Sequence, residues 1–162
     1  MAFLYNIGIQ AYHLAIQLAA PFNEKAALLC KGRKEVWKKA AGIQRGEGRL
    51  VWFHAASLGE FEQGRPVIEA LKAAEPATQI LLTFFSPSGY EIRKNYTGAD
   101  YILYLPGDTR RNAVRLIEKF RPDAAVFIKY EFWGNYLNAL AKRNIPTYII
   151  SAIFRPSQIF FR

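Results

Sequence analysis

This 162-residue chain has one cysteine, Cys30, and only two histidines, His13 and His54. A lone thiol forms no internal disulfide, and no Cys/His spacing of a metal site occurs. A stapled secreted scaffold and a Cys-based metal module are therefore excluded, and a free thiol in a reducing compartment is expected. A GxGxxG turn, a Walker loop and an HExxH helix are also missing, which removes support for nucleotide binding of those kinds and for metal catalysis. Acidic side chains are scarce: 13 Asp and Glu face 22 Lys and Arg, for a formal net charge of +9. Apolar and aromatic residues are plentiful, at 51% and 15%, and a chain of this length suits one packed domain.

The positive charge is concentrated near the start. Residues 1–45 hold seven basic side chains (Lys25, Lys31, Arg33, Lys34, Lys38, Lys39 and Arg45) against Glu24 and Glu35, which is five of the nine net charges. Within this segment, Phe3 to Phe22 carries no charged residue and approaches the ~20 residues that span a bilayer. Its polar residues Asn6, Gln10, His13 and Gln17 are spaced by four, three and four, one stripe of a helix. Residues 1–24 are read as a membrane-anchor helix, either lying in the interface or spanning with its polar stripe turned to a partner; a buried core helix is the alternative. No basic residue precedes the apolar run, which argues against a cleaved signal peptide. The basic collar and linker over 25–49 would hold the rest at the cytoplasmic face of a membrane with an anionic surface. Nucleic acid is not an expected partner, because the basic residues match no reader motif.

From residue 50 the pattern alternates. Apolar runs predict buried strands at 50–54, 79–85, 101–105, 124–129 and 147–151, with helical periodicity over 64–75, 88–95, 109–120 and 133–144. The expected fold is α/β, a Rossmann-like parallel sheet covered on both faces, over residues 50–162. Ligands of such a sheet gather at the carboxyl ends of the strands. That edge collects Ser57, Gly59 and Glu60, then Ser86, Ser88 and Gly89 of SPSG, then Asp108, then Glu131 of KYEFW, then Arg155.

Each of these residues admits two readings. Ser57 and Glu60 have the S-x-x-E spacing of a capping box, while Pro66 places the regular helix nearer Gly64 or kinks it, leaving Glu60 on a loop and available as a base. Glu131 is an ordinary loop carboxylate paired with Lys129 or Arg143, or a site group. Asp108 reads as a turn or cap residue opening a helix. SPSG is turn chemistry whose amides can also hold an anion, and Arg155 is a surface charge or a phosphate contact.

The segments FHAASLGE, TFFSPSGYE, YLPGDTRRNAVRLIEKFRPDAAVFIKYEFWGNYL and IPTYIISAIFRPSQ, with the hydrophobic start and GRK, resemble in order and spacing the amino-terminal half of the 3-deoxy-D-manno-octulosonic acid (Kdo) transferases of Gram-negative bacteria. The resemblance covers essentially the whole chain. It implies half of a two-Rossmann (GT-B) inverting glycosyltransferase at the cytoplasmic face of the inner membrane. That enzyme moves Kdo from CMP-Kdo to a lipid A precursor in lipopolysaccharide synthesis, with no cofactor and no metal. Glu60 matches the proposed general base, Glu131 a second acidic position near the acceptor, and Ser57, Gly59, Ser86, Ser88, Gly89 and Arg155 the substrate-binding edge. Many relatives carry an acid where this chain has Lys129, which removes a two-carboxylate role from the KYEFW loop. The family continues into a second Rossmann domain that holds most CMP-sugar contacts, so residues 1–162 alone are expected to bind acceptor better than donor and to give no transfer. A non-catalytic, membrane-tethered lipid-binding module, or a GT-B half serving another sugar donor, are the competing readings.

Overall fold

The computed structural model describes residues 2–154, so Arg155 lies outside the described residues. Strands β1 (Leu50–Ala55), β2 (Gln79–Phe84), β3 (Tyr101–Tyr104), β4 (Ala124–Ile128) and β5 (Thr147–Ile150) form one parallel sheet in the order β3-β2-β1-β4-β5. The strands are short apolar runs, and Pro76, Pro122 and Pro146 stand just before β2, β4 and β5, where they stop the preceding segments from continuing as helix. Among the described residues six helices accompany them: α1 (Ala2–Ala19), α2 (Glu24–Gly42), α3 (Leu58–Ala74), α4 (Pro87–Arg93), α5 (Arg110–Phe120) and α6 (Gly134–Ala141).

The two-residue repeat of a strand divides β1 between two cores. Leu50 and Trp52 pack with α5, α6 and the later part of α2, whereas Val51, Phe53 and Ala55 pack with α3 and α4. Trp52 is fully buried, edge-on to Phe127 and Tyr136, and its Nε1–H donates to Thr83 Oγ1 at 2.8 Å. The fifth strand departs from the expected burial: Thr147, Tyr148 and Ile149 are exposed, because β5 is an edge strand paired only with β4 among the described residues.

Two other boundaries differ from the sequence reading. Residues 24–42 of the collar form a regular helix, capped by Asn23, whose side chain accepts from the Ala26 N–H. Its Leu29, Val36 and Ala40 enter the core, so its lysines ride on the outer face of a structural helix while Arg33 turns inward onto Phe85, and only 43–49 link it to β1. Helix α3 begins at Leu58, six residues before Gly64, and runs through Pro66. Proline removes one N–H from the helical ladder, but Pro66 is solvent-exposed, so its ring meets no packed neighbour and the Glu62 carbonyl it leaves unpaired can be hydrated.

Among the described residues no helix is long and apolar enough to cross a membrane, so the spanning alternative for residues 3–22 does not hold. Eighteen residues of α1 extend about 27 Å, and its polar stripe dilutes the apolar surface. Part of that stripe is turned inward: Asn6 and His13 are half-buried, whereas Gln10 and Gln17 are exposed. The Tyr5 hydroxyl donates to Asp108 and accepts from the Gly134 N–H, Asn135 Nδ2 donates to Asn6, and the His13 ring lies against Gly107 so closely that a Cβ there would fall 2.2 Å from it. Leu4, Leu18 and Phe22 are correspondingly 66–92% exposed.

Trp52→Ala removes the largest fully buried side chain. It is expected to cost about 3–5 kcal/mol in urea unfolding. A loss below about 1 kcal/mol would show that this half of the core does not depend on it.

Candidate active site

The carboxyl ends of β1, β2 and β4 meet around His54, the penultimate residue of β1. It is fully buried, on the same face as Trp52. Its Nδ1 lies 3.1 Å from the Thr83 carbonyl, which can only accept, so Nδ1 carries the proton; Thr83 Oγ1 is 2.9 Å away. The other ring nitrogen, Nε2, accepts from Trp133 Nε1–H at 3.2 Å. The same indole N–H reaches Glu131 Oε2 at 2.8 Å, and that oxygen stands 3.5 Å from His54 Nε2. Glu131 is therefore held by the Trp133 indole, which it shares with His54 as a second acceptor. Arg143 pairs instead with Glu118.

Glu60 occupies the first turn of α3 instead of a loop. The spacing of a capping box is present but neither of its bonds is made: Ser57 sits at the N-cap in extended backbone with no side-chain capping bond, and Glu60 Oε2 accepts from the N–H of Ala56, one residue before the cap, at 2.6 Å. The remaining oxygen, Oε1, has no protein hydrogen-bond partner among the described residues. Partial burial is the main cause that holds this carboxyl above its ordinary value. The negative charge of Glu131 adds to it, against the Ala56 N–H, His54 and Lys129, which favour the anion. Gly59 is exposed, and no atom lies within 4 Å of where a Cβ would stand, so the backbone beside Glu60 is open to a ligand. Lys129 turns the chain out of β4 at φ 65°, a left-handed conformation that a non-glycine residue adopts at a cost of about 1–2 kcal/mol.

The other expected residues are arranged around this pair. Ser86 caps α4, accepting from the Ser88 N–H, and the two hydroxyls are 3.0 Å apart at the surface. Gly89 is buried beneath Phe84, where a Cβ would come within 2.3 Å of the ring, so its part in the fold is close packing. Asp108 does not open α5, which Thr109 caps. It is buried and caps α6, accepting from the Asn135 and Tyr136 N–H groups. Sequence reasoning passed over His54, Thr83, Phe85 and Trp133. The available signal was a histidine at the end of an otherwise apolar strand, immediately before the S-x-G-E turn. Phe85 stacks on Trp133 with centroids 4.9 Å apart, and the Arg33 guanidinium lies 4.7 Å from the Phe85 centroid. Among the described residues no group of three or more His, Cys, Asp or Glu side chains could hold a metal ion.

A parallel Rossmann-like sheet with an acid pair at its carboxyl edge defines the class, and the comparisons specify it. The family model for 3-deoxy-D-manno-octulosonic-acid transferase (kdotransferase) matches residues 30–160, and the chain belongs to that family. It is similar to the 3-deoxy-D-manno-octulosonic acid transferases of Haemophilus influenzae (31% identical over 103 residues, 63% of this chain and 24% of the relative), Aquifex aeolicus (32% over 115 residues, 64% and 32%) and Chlamydia trachomatis (27% over 121 residues, 71% and 28%). The match thus spans about a quarter to a third of those relatives' length. A solved UDP-N-acetylglucosamine 2-epimerase shares the fold, with a TM-score of 0.52 at 13% identity over 70% of this chain and 36% of that one.

A carboxyl whose proton affinity is raised by folding binds more protons in the folded state. Stability therefore falls as pH rises from its ordinary value of 4.5 through the folded value, and stays lower above it. Glu60→Gln is expected to remove this fall. Urea midpoints of both proteins between pH 4 and 8 test it, and identical profiles would assign the slope to another group.

Proposed function

We propose that this chain is the acceptor-binding Rossmann-like half of an inverting, metal-independent GT-B glycosyltransferase that moves Kdo from CMP-Kdo onto a lipid A precursor in lipopolysaccharide synthesis. Membership of the family supports transfer of Kdo. The observation that carries the site assignment is Glu60: one oxygen tied to the Ala56 N–H, the other free, with a raised proton affinity. A base needs this combination, because it must hold still and still want the proton. Glu60 takes the proton from the acceptor hydroxyl, whose oxygen attacks the anomeric carbon of Kdo as the bond to the CMP phosphate oxygen breaks. Glu131, held by Trp133 and close to His54, keeps negative charge beside Glu60 and so sustains its basicity. Ser57, with its hydroxyl uncommitted to the cap, and the open Gly59 backbone flank the acceptor; Ser86 and Ser88 offer further hydroxyls one loop away. CMP-Kdo is bound mainly by a second Rossmann domain of the kind this family carries.

The acceptor is a lipid, and the outward apolar face of α1 suits a helix lying in a membrane interface at the cytoplasmic face of the inner membrane. Lys25, Lys31, Lys34 and Lys38 beside it would each add ~1 kcal/mol of attraction to an anionic surface.

The test is transfer of radiolabelled Kdo from CMP-Kdo to a lipid A precursor by the protein in its full natural length, with and without Glu60→Gln. A folded glutamine variant is expected to lose about 10²-fold or more. Equal transfer would leave Glu60 as a helix-end anchor and pass the base's role to Glu131, and an inert parent protein would favour a lipid-binding module.

A further inference from the structure

A second concavity lies on the same edge of the sheet, two loops from Glu60. Helices α1 and α2 and the β3–α5 loop enclose a cleft of about 420 Å³, lined among others by His13, Gln17, Arg33, Lys34, Trp37 and Asn112. No carboxylate lines it. Asp108, close enough to act on His13, is occupied by Tyr5 and by the N–H groups that it caps.

Arg33 stands apart by combining burial with the lack of an acid. Arg45, Arg49, Arg65, Arg93 and Arg143 each meet a carboxylate, and Arg110, Arg111, Arg115 and Arg121 are exposed, but half-buried Arg33 has no carboxylate partner among the described residues. Its guanidinium rests on Phe85, and its buried Nε–H, like those of Arg45 and Arg65, has no hydrogen-bond partner. Burial pulls its proton affinity below the usual range, which marks the desolvation that an unpaired cation suffers. A desolvated cation with no acid beside it gains most from an anionic ligand.

We propose that this cleft is a phosphate-binding site, anchored by the Arg33 fork and assisted by the Lys34 ammonium, that takes a phosphate monoester. Two adjacent cations with no acid between them suit a doubly charged oxyanion, and a planar guanidinium suits its paired oxygens. The wall formed by Ile16 and Gln17 belongs to α1, whose outer face is apolar, so an amphiphile could place its phosphate here and its chains along that helix. The floor leads to the reaction edge: Arg33 lies on Phe85, Phe85 stacks on Trp133, and Trp133 binds Glu131. That the phosphate belongs to the sugar acceptor rests on the transferase reading; the affinity for phosphate does not.

The test is titration of the ¹⁵N-labelled protein with dodecyl phosphate below its micelle concentration, with inorganic phosphate, and with uncharged dodecyl maltoside. The Arg33 Nε–H resonance should shift with dodecyl phosphate. Affinity should fall about tenfold or more in Arg33→Met and about threefold in the surface variant Lys34→Gln. Weaker binding of inorganic phosphate at the same resonance identifies an amphiphile as the source, and equal binding identifies the free ion. If neither phosphate moves the Arg33 resonance, or dodecyl maltoside binds as tightly as dodecyl phosphate, the proposal is wrong, whatever the fate of Glu60→Gln in the transfer assay.

Discussion

All five strands run the same way, and most of what this protein can do follows from that constraint. A parallel sheet needs a crossover between every pair of strands, so its helices cover both faces and its strands are buried through the middle. It also delivers every strand's carboxyl end to one side. Ala55, Phe84, Tyr104 and Ile128 are far apart in sequence, yet the segments that follow them supply Glu60, Phe85, Asp108 and Glu131 to one surface. The sheet provides the meeting point, and the loops provide the chemistry.

Thr83 shows how the core and the site are joined. Its hydroxyl accepts from Trp52, which belongs to the core, and meets Nδ1 of His54, which belongs to the site. The histidine's tautomer and the position of Nε2 beside Glu131 are therefore set by a threonine inside β2. Asp108 performs a similar joining task at the other end of the edge, where one buried carboxylate caps α6 and receives the Tyr5 hydroxyl of α1.

The strand plan was legible because each strand is a short apolar run bounded by proline, glycine or aspartate, and parallel sheets need little more than that. Glu60 and Glu131 were legible as edge residues for the same reason. Three features were not. Helix α2 was masked by its charge: its lysines mark the solvent face, and the buried positions Leu29, Val36 and Ala40 are too few to stand out among them. The start of α3 was misplaced because Pro66 argues locally for a helix end, whereas an exposed proline in a long, well-packed helix is tolerated. The His54, Thr83 and Trp133 network depends on three different loops and strands coming within hydrogen-bond distance, which no local pattern encodes.

The docking of α1 also has a consequence in time. Its hydrogen-bond partners Gly134 and Asn135 lie 129 residues after Tyr5 and Asn6. At a synthesis rate of about 5–20 residues per second, the helix leaves the ribosome roughly 6–25 s before the surface that receives it has been made. Throughout that interval Tyr5 and Asn6 lack the partners that α6 later provides. The nascent chain therefore meets the cell first as an amphipathic peptide and only later as an α/β domain, and whatever holds that peptide in the meantime has the earliest influence on where the finished protein resides.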